Sequence, residues 1–215
     1  MRRAALALLL LAVATGAAGA ADMKITFDAA AAAAGQVPQG WRVGNTNGGP
    51  QPAKWAPQEA GGRKVFSLVE PEKQLPGDLY NVAWMPDTKV RDIDISVQVK
   101  ANTGRQDQGG GLIWRARDSS NYYIARYNPL ETNFRIYYVK DGVRRQLATV
   151  EGQRIRTGEW FTMRIVHRGD AIEGYLNNQK VLEARDTTFR DAGAVGLWTK
   201  ADAATSFDDL LVKEL

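Results

Sequence analysis

Residues Gly110 to Lys140 read GGLIWRARDSSNYYIARYNPLETNFRIYYVK. Three runs of strand length, rich in aromatic and β-branched residues, are separated by Asp118-Ser119-Ser120 and by Asn128 to Thr132. Such runs, broken by turn formers at this spacing, predict consecutive antiparallel strands. Alternation sorts the side chains. Leu112, Trp114 and Ala116 share one face, with Ile113, Arg115 and Arg117 on the other. Tyr123, Ala125 and Tyr127 oppose Tyr122, Ile124 and Arg126, and Phe134, Ile136 and Tyr138 oppose Arg135 and Tyr137.

The same grammar continues outward. Asp92 to Lys100 alternates Ile and Val with polar residues, and Val143 to Val150 follows the Asp141-Gly142 dipeptide, a strong hairpin signal. Lys64–Leu68, Tyr80–Met85, Trp160–Arg168, Ala171–Asn177, Lys180–Ala184, Gly193–Thr199 and Ser206–Val212 add strands. Asp22–Phe27 starts the series. About a dozen strands and no amphipathic helix of ordinary length predict a sandwich or barrel. Residues 21–60 read as a loop-rich N-terminal part: Ala29 to Ala34 are six alanines, and Gln36 to Ala60 is rich in Gly, Pro, Asn and Gln around Trp41 and Trp55.

Residues 1–20 read as a signal peptide. Arg2 and Arg3 precede an apolar run from Ala4 to Ala14, and Ala18-Gly19-Ala20 offers a small-x-small cleavage site. The run is too short to span a bilayer as a helix. Cleavage would shorten 215 residues to 195 and lower the formal charge from +4 to +2 by removing the two Arg. Residues 21–215 are then expected to form one secreted or periplasmic domain, with a monomer as the default. The chain has no Cys, one His and no Lys/Arg run longer than two. That pattern excludes disulfides, thiolate or His-rich zinc sites and a nucleic-acid footprint.

Several segments together carry a resemblance: GGLIWRAR from Gly110, NYYIAR from Asn121, Gly158-Glu159-Trp160, GYLNN from Gly174, and GAVGLWTKAD from Gly193 followed by FDDLLV from Phe207. Residues 60–215 resemble the concanavalin A-like lectin/glucanase superfamily. The likeness is greatest to its laminin-G-like branch and to the 3-keto-disaccharide hydrolase domain, a relative of glycoside hydrolase family 16. The resemblance implies an all-β, two-sheet antiparallel jelly-roll sandwich. It also implies ligands on the concave sheet, and action on oxidised sugars as one option.

Retaining glucanases of that fold carry Glu-x-Asp-x-Glu on one strand, two of whose carboxylates act about 5 Å apart. The nearest text here is Asp92-Ile93-Asp94-Ile95-Ser96, whose third position is a hydroxyl. Asp92 and Asp94 are therefore weak catalytic candidates, and solvated strand residues are the simpler reading. His167 lacks a nucleophile elbow and reads as a strand-end histidine.

If the apolar sets face inward, Arg115, Arg126, Arg135 and Tyr137 line one outward surface. Guanidinium forks and aromatic faces suit sugar hydroxyls, carboxylates and C–H faces. An excess of Arg favours a polyanionic glycan. Trp41 and Trp55 are candidate rim contacts, while Trp84, Trp114, Trp160 and Trp198 are expected in the core. No cofactor is expected, although the resemblance implies a structural calcium at Asp209 with Asp28 as an option; the competing reading is that Asp208 and Asp209 cap the turn and bond backbone amides. The expected function is a non-catalytic carbohydrate-binding domain. The alternatives are a glycoside or 3-keto-sugar hydrolase or lyase, and an adhesion module with a protein partner.

Overall fold

The computed structural model describes residues 22–25, 36–71 and 77–215. Residues 1–20, expected to be a signal peptide, together with Asp28 and the alanine run of residues 29–34, lie outside these. Fifteen strands are present among the described residues, and no helix. In chain order they are β1 (Met23–Ile25), β2 (Arg42–Thr46), β3 (Lys54–Ala60), β4 (Arg63–Glu70) and β5 (Tyr80–Val90). Next come β6 (Ile93–Thr103), β7 (Gly110–Asp118), β8 (Asn121–Asn128), β9 (Asn133–Lys140) and β10 (Val143–Val150). The last are β11 (Trp160–Arg168), β12 (Ala171–Leu176), β13 (Gln179–Arg185), β14 (Gly193–Lys200) and β15 (Ala204–Glu214).

They form two antiparallel sheets stacked as a jelly-roll sandwich. The eight-stranded sheet runs β13-β12-β11-β6-β15-β4-β3, with β1 also paired to β15. The seven-stranded sheet runs β10-β9-β8-β7-β14-β5-β2.

Alternation fills the space between the sheets. On β6, Ile93, Ile95, Val97, Val99 and Ala101 are buried, while Asp94, Ser96, Gln98 and Lys100 stay partly exposed. Phe161, Met163 and Ile165 of β11 join them. Leu112, Trp114, Tyr123, Ala125, Tyr127, Phe134, Ile136, Val195 and Leu197 descend from the opposite sheet. Each such large side chain contributes about 1.5–3 kcal/mol when fully buried, so this layer dominates the stability of a chain without disulfides.

Residues 36–60 depart from their loop reading, because they contain β2 and β3. Gly44 and Asn45 weaken the strand signal of β2, and Pro57 interrupts that of β3. β3 is an edge strand, where a missing N–H is tolerated. Trp41 and Trp55 are not on a rim. Both are buried against Phe66, at 5.3 and 5.5 Å between ring centroids, and Trp55 also meets Phe207. They carry the core into the part of the chain that composition alone marks as irregular.

Candidate functional site

The face of the seven-stranded sheet turned away from the sandwich core holds a second buried cluster. Tyr80, Val82, Ile113, Tyr122, Ile124, Tyr137, Val139 and Trp198 build it, with Trp84 packed alongside. These are the alternate residues of β5, β7, β8, β9 and β14, so one period-two pattern produces both clusters. The sheet curls over this face. Thr46 on β2 reaches Tyr122 on β8, with Oγ1 to Oη at 2.8 Å, although β5, β14 and β7 lie between them in the sheet. Thr46 also donates to the Ser119 carbonyl, and Asn47 Nδ2 donates to the Gly142 carbonyl. Burial raises the Tyr122 phenol well above its ordinary range.

Within this curl stands Arg144 of β10, paired in register with Val139. Its guanidinium carbon lies 4.5 Å from the Tyr137 ring, 5.0 Å from Tyr80 and 6.0 Å from Trp198. Tyr80 and Trp198 pack together at 5.3 Å. Arg144 Nη1 is buried and has no hydrogen-bond partner.

A polar chain flanks the rings. Lys200 Nζ meets Asp107 Oδ2 at 2.7 Å, and Asp107 Oδ1 accepts from Asn128 and the Gln108 amide. Asn128 Nδ2 also reaches Glu131 Oε1 at 3.4 Å. Glu131 Oε2 then takes Arg126 Nη2 at 2.9 Å, Asn133 Nδ2 at 3.0 Å and Arg135 Nη1 at 3.2 Å. Arg126 also donates to Asn133 and, at 3.4 Å, to the Tyr137 hydroxyl, while its Nε stays unpaired. Burial alone would raise the Glu131 carboxyl, but the bonds from Asn133 and Arg126 and the charges of Arg126 and Arg135 outweigh it and hold it at about 2. Glu131 is thus a fixed anion at neutral pH, not a proton donor. The arrangement can bind and orient a polar ligand beside an aromatic floor. Asp107 and Glu131 approach each other through the Asn128 amide, and each is already met by cations.

The expected site residues divide. Arg126, Arg135 and Tyr137 come together on this face, as alternation predicts. Arg115 does not join them. The register of β7 slips between Trp114 and Asp118, and Arg115 takes a left-handed φ of 46°. This bulge swings the side chain to one end of the sandwich. There it donates to the carbonyls of Arg91, Phe189 and Gly169 and to the Asp92 carboxylate. Ala116 is turned to the outer cluster by the same bulge, not to the core.

Asp92 is engaged by Arg115 and by the Gly169 amide. Asp94 lies on the outer face of the other sheet and holds Arg164 by two bonds of 2.6 Å. The two carboxylates serve separate cations and do not form a pair. Asp209 sits at a bulge with φ 47° and meets Lys24 at 3.1 Å and Arg63 at 3.4 Å. Two cations occupy the place that the calcium expectation gave to a metal. Among the described residues no group of three or more His, Cys, Asp or Glu could hold an ion.

Tyr80, Arg144, Trp198 and Lys200 were missed in the sequence, and with them the polar chain of Asp107, Asn128, Glu131 and Asn133. Trp198 and Lys200 were legible, because Val195 and Leu197 face the core, so the alternate residues Gly196, Trp198 and Lys200 must face out. Trp84 leaves the core for the same reason, and Trp160 lies on the outer face of the other sheet beneath the Arg63 guanidinium. Of the four tryptophans expected in the core, Trp84, Trp114, Trp160 and Trp198, Trp114 is the one that packs between the sheets.

A family model described as 3-keto-alpha-glucoside-1,2-lyase-like domain matches residues 35–213. Among solved structures, the carbohydrate-binding module CBM66 from Bacillus subtilis superposes with a TM-score of 0.63 at 19% identity, covering 81% of this chain and 96% of that one. The Bacillus licheniformis β-glucanase gives 0.61 at 11% identity, covering 93% and 100%. The exoplasmic/lumenal domain of VIP36 in its Ca2+-bound form gives 0.59 at 10%, covering 89% and 90%. At these identities the likeness is one of fold. A search of curated proteins gives no match.

Proposed function

We propose that this chain, which belongs to the 3-keto-alpha-glucoside-1,2-lyase-like domain family, is an exported, single-domain carbohydrate-binding protein that holds its ligand on the outer face of the seven-stranded sheet. The observation that carries the reading is the aromatic floor of Tyr80, Tyr137 and Trp198 beneath Arg144, with Arg126 beside it. Those buried rings hold the guanidinium in place, partly exposed Trp84 offers a face to sugar C–H surfaces, and guanidinium forks take sugar oxygens. Partly exposed Trp84 and Arg135 and exposed Arg42 and Gln146 border the same face. The carbohydrate-binding module among the structural neighbours supports the same direction. Export rests on the basic start, apolar run and cleavage triplet of residues 1–20.

Binding without turnover is favoured because the acids on the face are committed. Glu131 is held ionised, so it has no proton to give a leaving group, and Asp107 is engaged by Lys200. The second reading is hydrolysis or elimination on a glycoside or 3-keto-sugar. The family match favours it. A ketone beside the reacting carbon makes its proton removable by a weak base, with a cation such as Arg126 to stabilise the enolate.

Calorimetry with a glycan panel, run in parallel with product analysis on glycosides and 3-keto-glycosides, tests both. Saturable heat without product supports binding. Product formation establishes the second reading. Absence of both overturns the two and points to an adhesion module.

A further inference from the structure

Among the half-buried or buried cations of the outer face, Arg144 has no counter-charge. Arg126 is met by Glu131, Arg135 by Glu131 and Glu151, and Lys200 by Asp107. Among the described residues no carboxylate pairs with Arg144, and its guanidinium lies against three rings. Those rings attract the flat face of the guanidinium. They provide no acceptor for the N–H groups along its edge, and Nη1 is buried and unbonded. Arg126 Nε, whose guanidinium is 6.0 Å from the same Tyr137 ring, is a second unbonded donor. Burying such donors without acceptors is costly. Such groups are rare in folded proteins, and a bound ligand is one arrangement that satisfies them.

We infer that the ligand carries a carboxylate, as a uronic acid residue does, and that Arg144, half-buried above the rings of Tyr80, Tyr137 and Trp198, receives it edge-on. This rests on the reading that the face binds a glycan. A carboxylate fits on two counts. It is planar with two oxygens and matches the guanidinium fork. It also brings a negative charge to a half-buried cation that no carboxylate meets among the described residues. A neutral sugar would leave that charge uncompensated.

The test is calorimetry on the purified protein with a glucuronate-containing disaccharide, its methyl ester, its neutral glucose counterpart and a sulfated counterpart. The uronate is expected to bind about ten-fold or more tightly than the ester and the neutral sugar. The preference should shrink as salt rises. Arg144→Met should abolish the preference, and Arg144→Lys should restore only part of it, because an ammonium keeps the charge without the fork. Thermal melts confirm that both variants fold.

Equal affinity for uronate and neutral sugar in the native protein overturns the inference but leaves glycan binding intact. So does a preference that survives Arg144→Met, or tighter binding of the sulfated sugar. If no sugar binds, the glycan reading itself fails. Free glucuronate and acetate then decide the anion site: a rise in melting temperature that Arg144→Met removes sustains it, and no rise overturns it.

Discussion

Trp114 Nε1 donates to His167 Nδ1 at 2.9 Å, joining β7 of one sheet to β11 of the other through the middle of the sandwich. The bond makes Nδ1 an acceptor, so the neutral ring carries its proton on Nε2, which has no partner. Burial, and then the Arg115 charge, push the imidazole down to about 4.

The first prediction follows from that bond. Below its ordinary value of 6.5 the unfolded histidine takes up a proton that the folded one refuses. Stability is therefore full above about pH 6.5 and lost as pH falls from there to about 4, by about 3 kcal/mol. Urea melts at pH 7.5, 5.5 and 4.5 should show this slope, and His167→Phe should flatten it. An unchanged slope in that variant would assign the acid sensitivity elsewhere.

Arg115 is expected to be structural. Arg115→Met leaves three carbonyls and Asp92 without their donor and should cost about 3–5 kcal/mol. Arg115→Lys should recover little, since an ammonium cannot reach four separate acceptors. Denaturant midpoints measure both. A near-neutral Arg115→Met would contradict the assignment.

Glu131 ties Arg126 and Arg135 in place. Its side chain is 41% exposed, so solvent screening limits its contribution. Glu131→Gln should cost about 1 kcal/mol at neutral pH. The difference from the native protein should fade as pH drops from 4.5 towards 2, where the native carboxyl is itself protonated. The variant should also weaken glycan affinity by loosening Arg126. Paired melts at pH 7 and pH 2.5, with calorimetry at pH 7, check this.

Thr46→Val removes the bonds to Tyr122 and to the Ser119 carbonyl. Two buried groups lose a partner, at about 1–3 kcal/mol. Amide exchange should accelerate in β2 before it does in β6 or β11. Uniform acceleration across all strands would show that β2 is not a separately released unit.

How far the sequence could be read depended on whether period two was kept. On β8 and β9 it holds without a break, and Arg126, Arg135 and Tyr137 fall where counting puts them. On β7 it fails at Arg115, because a left-handed residue inverts the facing after it, and nothing in the composition around Trp114-Arg115-Ala116 announces a bulge. Asp209 is displaced in the same way, so the acid expected beside a metal turns to Lys24 and Arg63 instead. Arg144 and Arg145 are adjacent and identical, and only their register against β9 decides which enters the face. Trp41 and Trp55 were obscured by neighbours: short strands containing Gly44 and Pro57 look like loop until their partners are known.

The hold of β2 on distant turns has a practical side for anyone adding labels to this protein. An inserted epitope or fluorophore loop at Ser119-Ser120 or Asp141-Gly142 would pry Thr46 and Asn47 from their anchors and unseal the aromatic floor. The hairpin tip at Gly61-Gly62 offers a safer graft point, since both residues face open space and a longer connection there disturbs only an edge.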